Sequence, residues 1–179
     1  MKVFVVVGMP ASGKNIARVY AEARGIPYFA TGDLVRNEVR KRGLEHDAVA
    51  AATVSTELRG ADGLGVTRLA LASAMESGAD ILFMEGMRSQ PEIELIRKEA
   101  ECVVIAFLAP KQLRLQRIIS RQRADDSSSL FDVRDLREIE YGTAIPIVLA
   151  DEYILNTGTM AEAVEQIDQI IRRRKKGSG

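Results

Sequence analysis

GMPASGKN, residues 8–15, follows an almost continuous β-branched and aromatic run, Lys2 to Val7, and precedes a helical stretch, Lys14 to Arg24. The octet matches the phosphate-loop pattern G-x-x-x-x-G-K-[ST] at every place but the last. Strand, glycine-bearing loop and helix stand in the order that gives this pattern a mechanism. Gly8 leaves the strand in a conformation that a side chain would block, and Gly13 lets backbone N–H groups turn inward. With Met9, Pro10, Ala11 and Ser12 between them, those N–H groups and the helix N-terminus form a cradle for phosphate oxygens. Lys14 then sets a point charge on the terminal phosphates of a nucleotide, with ATP the expected donor.

Asn15 is the departure. Ser or Thr there would offer a hydroxyl oxygen to Mg²⁺, whereas Asn offers an amide oxygen on a longer side chain. Mg²⁺ demands near-ideal octahedral geometry. Either the metal shifts or keeps a water between itself and Asn15, or the site binds nucleotide and transfers phosphate slowly.

Outward from the loop, strands alternate with helices. Short apolar runs at Ile26 to Ala30, Ile81 to Met84, Cys102 to Leu108 and Tyr153 to Leu155 read as strands. Helical patterns run over Asp33 to Arg42, Ala48 to Leu58, Val66 to Glu76, Pro91 to Ala100, Lys111 to Arg123, Asp132 to Tyr141 and Met160 to Lys175. Ala124 to Ser129 reads as a polar loop. This is an α/β pattern with a parallel sheet of about five strands and helices on both faces. All 179 residues fit one domain. Residues 34–77 and 114–150 are too long for simple crossovers, and such insertions sit over the carboxyl ends of the strands, where ligands bind.

Composition narrows the partners. Lys+Arg and Asp+Glu balance at 25 each, which argues against nucleic acid. No apolar run approaches the ~18–20 residues that span a membrane. Cys102 is the single cysteine, so neither an intrachain disulfide framework nor a cysteine zinc site is expected, and a reducing, cytoplasmic setting fits. Cys102 itself reads as a core thiol, His46 as a capping or solvated residue, and the basic run Arg172 to Lys176 as a solvated helix end.

Several side chains at strand ends suit phosphate chemistry. Glu85 follows an apolar strand and is placed to manage Mg²⁺ together with Asn15. Arg36 and Arg88 each carry a guanidinium fork able to hold a phosphate by two parallel hydrogen bonds. Asp33 either caps its helix or accepts a proton from an acceptor hydroxyl. Arg114, Arg117 and Arg121 fall on one helix face, with Arg123 before the polar loop and Arg134 and Arg137 after it; this basic face is suited to close over donor phosphates.

Phe29 to Arg36, with Thr31, Gly32, Asp33 and Arg36, resembles the S-T-G-D-x-x-R stretch of adenylate kinases, and Glu85-Gly86-Met87-Arg88 resembles their D-G-[FY]-P-R stretch shortened by one residue. The resemblance implies that Thr31, Gly32, Asp33, Arg36, Gly86 and Arg88 hold an acceptor nucleotide. It also implies that Arg117, with Arg121 or Arg123 and with Arg134 or Arg137, forms a short lid without zinc. Ala150 to Thr159 is similar to the A-D-x-x-I-x-N-x-G stretch of dephospho-CoA kinases, which makes Asn156 a candidate contact for the donor base. Over nearly the whole chain the sequence resembles an adenylate-kinase-related P-loop family, known largely from archaea and without an assigned substrate. Its marks are carried by Gly8 to Lys14, Asp33 to Leu44, Glu85 to Glu92 and Ala150 to Asn156. The expected fold is that of P-loop NTP hydrolases, with an acceptor-binding insertion at 34–77 and an arginine-rich lid at 114–150 like those of nucleoside monophosphate kinases.

The expected activity moves the γ-phosphoryl of ATP to AMP, another nucleoside monophosphate or dephospho-CoA, with Mg²⁺. The competing expectation is a nucleotide-binding switch or slow NTPase. The expected partners are small-molecule nucleotides alone, with no nucleic acid and no membrane, and the oligomeric state is left open.

Overall fold

A computed structural model describes residues 1–45, 47–121 and 128–176. Five parallel strands lie in the order β2-β3-β1-β4-β5, with β1 Lys2–Val7, β2 Tyr28–Ala30, β3 Ile81–Glu85, β4 Glu101–Leu108 and β5 Glu152–Leu155. All six residues of β1 are buried, as its central place between β3 and β4 requires. Alternate residues face opposite sides of the sheet. Phe4, Val6, Phe83, Ile105, Phe107 and Ile154 pack on one face beneath α1 (Asn15–Glu22) and α9 (Met160–Lys176). Val3, Val5, Val7, Leu82, Met84 and Val104 pack on the other beneath α4 (Gly65–Glu76) and α5 (Gln90–Glu99). Each large apolar side chain buried this way contributes about 1.5–3 kcal/mol.

Between β2 and β3 run α2 (Thr31–Lys41), α3 (Ala48–Arg59) and α4, joined by a small apolar cluster of Val35, Val39, Val54 and Val66. After β4 come α6 (Lys111–Arg121), α7 (Ser128–Glu140) and α8 (Ala144–Val148).

The strands and most helices begin and end within about two residues of the sequence expectation. Three differences have physical causes. The short helix α8 was unexpected, because Pro146 interrupts a five-residue apolar run too short to show a period. Helix α7 starts earlier than the expected Asp132, at Ser128, and so takes in the end of the expected polar loop. Asp33 does not cap α2: Ala30 holds the N-cap position and Asp33 lies in the first turn, where a carboxylate still favours the helix dipole.

The basic C-terminal run is largely exposed, and it is also ion-paired. Arg173 and Arg174 both pair with Glu152, at 2.5 and 2.7 Å, and Arg172 pairs with Asp168 at 2.6 Å. Cys102 is partly buried on β4, and burial pushes its thiol up to about 11. Among the described residues no helix is long and apolar enough to cross a membrane. His46 and Arg123 lie outside the described residues, as do residues 122–127 of the expected polar loop.

Candidate functional site

The loop between β1 and α1 is held from its carbonyl side. Lys14 Nζ donates to the carbonyls of Gly8 and Met9 at 2.6 and 3.1 Å. Arg114 Nη1 donates to the Pro10 carbonyl at 3.1 Å. Arg117 Nη1 reaches the carbonyls of Ala11 and Ser12 at 3.3 and 3.4 Å, and Asn156 Nδ2 donates to the Ser12 carbonyl at 2.8 Å. Every carbonyl from Gly8 to Ser12 therefore accepts from a side chain.

Ala11 is left-handed at φ 59°, a conformation costing about 1–3 kcal/mol that persists where the surroundings over-determine it. A left-handed residue beside right-handed ones gathers N–H groups into an anion-binding concavity. Gly13 has φ +100°, and a Cβ there would come within 1.8 Å of Asn156 Nδ2, so only glycine fits. Ser12 Oγ is buried with no hydrogen-bond partner among the described residues. Burial pushes the Lys14 ammonium below its ordinary pKa, against the pull of Glu85. A loop with its carbonyls occupied, one orphaned hydroxyl and a desolvated cation fits the phosphates of a nucleotide.

Arg114 and Arg117 thus stand elsewhere than the lid reading has them. They reach the carbonyl side of the loop, and Arg117 Nη2 also donates to the Asn156 backbone carbonyl at 2.9 Å. Arg114 is buried and forms a two-pronged pair with Asp135 of α7, at 2.8 and 2.5 Å. Asn156, expected beside the donor base, is 3% exposed, with its side-chain amide committed to the loop. Sequence spacing put the arginines on one face of α6, but which way that face points is a tertiary fact.

Beside the loop opens a cleft of about 840 Å³. It is lined by Asn15 of α1, by Thr31, Gly32, Asp33 and Arg36 of α2, by Glu85 at the end of β3 with Gly86 and Arg88 after it, and by Arg59 of α3 and Arg137 of α7. The register pairs Ala30 with Glu85, which sets Thr31 against Gly86. A Cβ at Gly86 would lie 2.0 Å from Thr31 Oγ1. The sequence-expected acceptor residues are therefore neighbours in space, with Asn15 and Glu85 on the same cleft. Arg134 is half-buried on α7 and does not line it, whereas Arg137, the alternative the sequence left open, does. Arg121 ends α6.

Ion pairs organise the arginines. Asp33 accepts from Arg18 at 2.6 Å and also from Arg36. Burial acts to raise the pKa of Asp33, but the two guanidiniums outweigh it and hold the carboxyl below its ordinary value. That setting suits positioning Arg36 better than accepting a proton. Arg88 Nε lies 3.1 Å from Glu138 Oε2, and its guanidinium is 5.3 Å from the centre of the Tyr141 ring.

Four residues to which the sequence assigned no role complete the site. Glu92 Oε2 accepts from the backbone N–H groups of Arg88 and Ser89 at 2.8 and 2.9 Å, while its Oε1 accepts from Thr67 Oγ1 at 2.7 Å. This buried carboxylate closes a capping box and fixes the turn that carries Arg88. The signal was visible as Ser89 three residues before Glu92. Tyr28 donates its hydroxyl to Glu85 Oε2 at 2.9 Å. Burial first, and the Glu85 charge second, push the Tyr28 pKa up, so it remains a donor. Arg18 sits 4.7 Å over the Tyr28 ring, and its place one turn beyond Lys14 was the available clue. Asp135 carried no local signal.

No three His, Cys, Asp or Glu side chains cluster as metal ligands among the described residues. A cation here would draw on Glu85, Asn15 and its own waters and phosphates, which is the usual manner for Mg²⁺.

The AAA domain family matches residues 7–132. A UPF0200 protein of Methanosarcina mazei is 37% identical over 165 residues, covering 89% of this chain and 88% of that protein. A UPF0200 protein of Methanocaldococcus jannaschii is 32% identical over 172 residues, covering 93% and 87%. Among solved structures, the shikimate kinase of Acinetobacter baumannii in complex with shikimate aligns with TM-score 0.63 at 17% identity, covering 97% of this chain and 94% of that one. The shikimate kinase of Aquifex aeolicus aligns with TM-score 0.63 at 12% identity, covering 99% and 100%. Identities this low speak to the fold alone, which is that of P-loop kinases. The phosphate loop, the domain match and the archaeal relatives agree: this chain belongs to the UPF0200 group of the AAA-domain, P-loop kinase-like family.

Proposed function

We propose that this protein is a phosphotransferase that moves the γ-phosphoryl of ATP to a small nucleotide-like acceptor. One observation carries the reading: Asn15, at the end of the phosphate loop, lines the same cleft as Thr31, Arg36, Gly86 and Arg88. Donor and acceptor sites that share one cleft can hold their ligands for in-line attack, and positioning supplies much of phosphoryl-transfer catalysis.

The loop amides and Lys14 would hold the donor phosphates, and Asn15 with Glu85 would hold Mg²⁺. When bound, the cation neutralises charge on the transferred phosphoryl. Arg36 and Arg88 would hold the acceptor's anionic group. An acceptor oxygen forms a bond to the γ-phosphorus as the bond from that phosphorus to the β–γ bridging oxygen breaks, and ADP leaves. A phosphate oxygen as acceptor needs no base, which suits a site whose Asp33 is held by two guanidiniums. Residues 34–77 serve as the acceptor-binding insertion in this reading. Residues 114–150 divide their work between bracing the loop, through Arg114 and Arg117, and closing the cleft, through Arg137 and Glu138.

The test is a coupled ADP-release screen over AMP, other nucleoside monophosphates, dephospho-CoA and shikimate. At least one acceptor should raise ADP release well above the water background; if none does, the transferase reading fails. A second reading, a nucleotide switch or slow NTPase, draws on Asn15, which is exposed where a hydroxyl ligand is usual. An Asn15→Ser variant should raise turnover if Asn15 only handicaps the metal.

A further inference from the structure

We infer that the cleft takes an acceptor with two anionic groups, the second held by Arg59 and Arg137 beside Tyr141; this rests on the phosphotransferase reading. Five arginines line the cleft: Arg18, Arg36, Arg59, Arg88 and Arg137. Three are already matched. Arg18 and Arg36 share Asp33, and Arg88 has Glu138. Among the described residues, Arg59 and Arg137 have no carboxylate partner.

Both unmatched arginines line the cleft, Arg59 from α3 and Arg137 from α7. The Arg59 guanidinium lies 5.6 Å from the centre of the Tyr141 ring, which also faces the Arg88 guanidinium at 5.3 Å. The Arg137 carbonyl accepts from Tyr141 N–H at 3.0 Å, so Arg137 and Tyr141 follow one another on the same helical face. Two guanidiniums, those of Arg59 and Arg88, therefore face one aromatic ring, with Arg137 one turn before that ring and Glu138 paired with Arg88 alone. Like charges so close repel unless an anion joins them. A cation at the end of α3 would serve the helix dipole equally well pointing into solvent; Arg59 instead lines the cleft.

One anionic group of the acceptor occupies Arg36 and Arg88. A second, phosphate or carboxylate, fits between Arg59 and Arg137. The Arg59 and Arg88 guanidiniums can be no farther apart than their two distances to the ring together, so both groups belong to one small molecule. Ala51, Ala52, Ser55 and Thr56 of α3 also line the cleft, small side chains that leave room for its body.

The experiment is calorimetric titration of the full chain, with the donor site filled by Mg²⁺ and a non-hydrolysable ATP analogue. The probes are AMP, adenosine 3′,5′-bisphosphate and adenosine 2′,5′-bisphosphate. At least one bisphosphate should bind on the order of tenfold tighter than AMP, with the advantage shrinking as salt rises. In an Arg59→Gln/Arg137→Gln variant the two affinities should converge, with circular dichroism confirming that the variant is folded. Equal binding of AMP and both bisphosphates by the unmodified protein overturns the inference while leaving the transferase reading intact. So does an advantage that survives the double substitution. If the ATP analogue binds but none of the three probes does, this inference falls, and the transferase reading is decided by the wider acceptor screen.

Discussion

Arg114 and Asp135 meet in a buried two-pronged pair, Nη1 to Oδ1 at 2.8 Å and Nη2 to Oδ2 at 2.5 Å, 6% and 9% exposed respectively. Through Arg114 the pair reaches the Pro10 carbonyl of the phosphate loop, while three residues along α7 Glu138 holds Arg88, which lines the cleft. One helix thus touches the supports of both halves of the cleft. Removing one partner leaves an uncompensated buried charge. Asp135→Ala should therefore cost about 3–5 kcal/mol and weaken ATP binding together with stability. Thermal melts and nucleotide titrations of Asp135→Ala, Arg114→Ala and the double variant measure it. The double variant should lose less than the two single losses combined.

Gly13 tests the loop itself. A side chain there meets both a positive φ and the Asn156 amide. Gly13→Ala should destabilise by about 1–3 kcal/mol or more and abolish measurable ATP binding. Adding Asn156→Ala removes the clash but not the backbone strain, so stability should recover only in part. Full recovery would mean that the backbone conformation is unimportant.

Tyr28 is a positioning residue for Glu85. Hydrogen bonds to charged groups contribute about 1.5–3 kcal/mol, so Tyr28→Phe should lower stability by that order. It should also raise the Mg²⁺ concentration needed for half-maximal activity, because Glu85 loses its fixed orientation. A lowered melting temperature with an unchanged Mg²⁺ dependence would confine Tyr28 to the fold.

Asp33 gives a pH dependence with a definite sign. Its folded pKa lies below the ordinary 3.8, because Arg18 and Arg36 outweigh the effect of burial. A depressed carboxyl contributes stability that is fully present above the unfolded value and is lost as pH falls through the folded one. The stability gap between the unmodified protein and Asp33→Asn should therefore be flat from neutrality to just above pH ~4 and close below it. With side chains 38% and 62% exposed in the Asp33–Arg36 pair, the gap should not exceed about 1 kcal/mol. Acid melts of both proteins read it out.

Local chemistry made much of this protein legible before any fold was known. The run Lys2 to Val7 reads as a buried strand, Gly8 to Lys14 as a phosphate loop, and Glu85 to Arg88 as a strand end with a guanidinium after it. The register of β2 on β3, which the structure supplies, brings Thr31 beside Gly86. What sequence could not decide was direction and distant partnership. The i, i+3 spacing of Arg114 and Arg117 established a shared face of α6; packing turned that face to the carbonyls of the loop. Asp135 is 21 residues from Arg114, and Tyr28 is 57 from Glu85, so no local pattern announces either pair. The sequence by itself determined which backbone would cradle a phosphate, because that depends on glycines and a lysine at fixed short spacing. Only the tertiary structure decided which arginines brace that cradle and which are left facing the cleft, because a guanidinium commits to whichever carbonyl or carboxylate the packed helices carry to it.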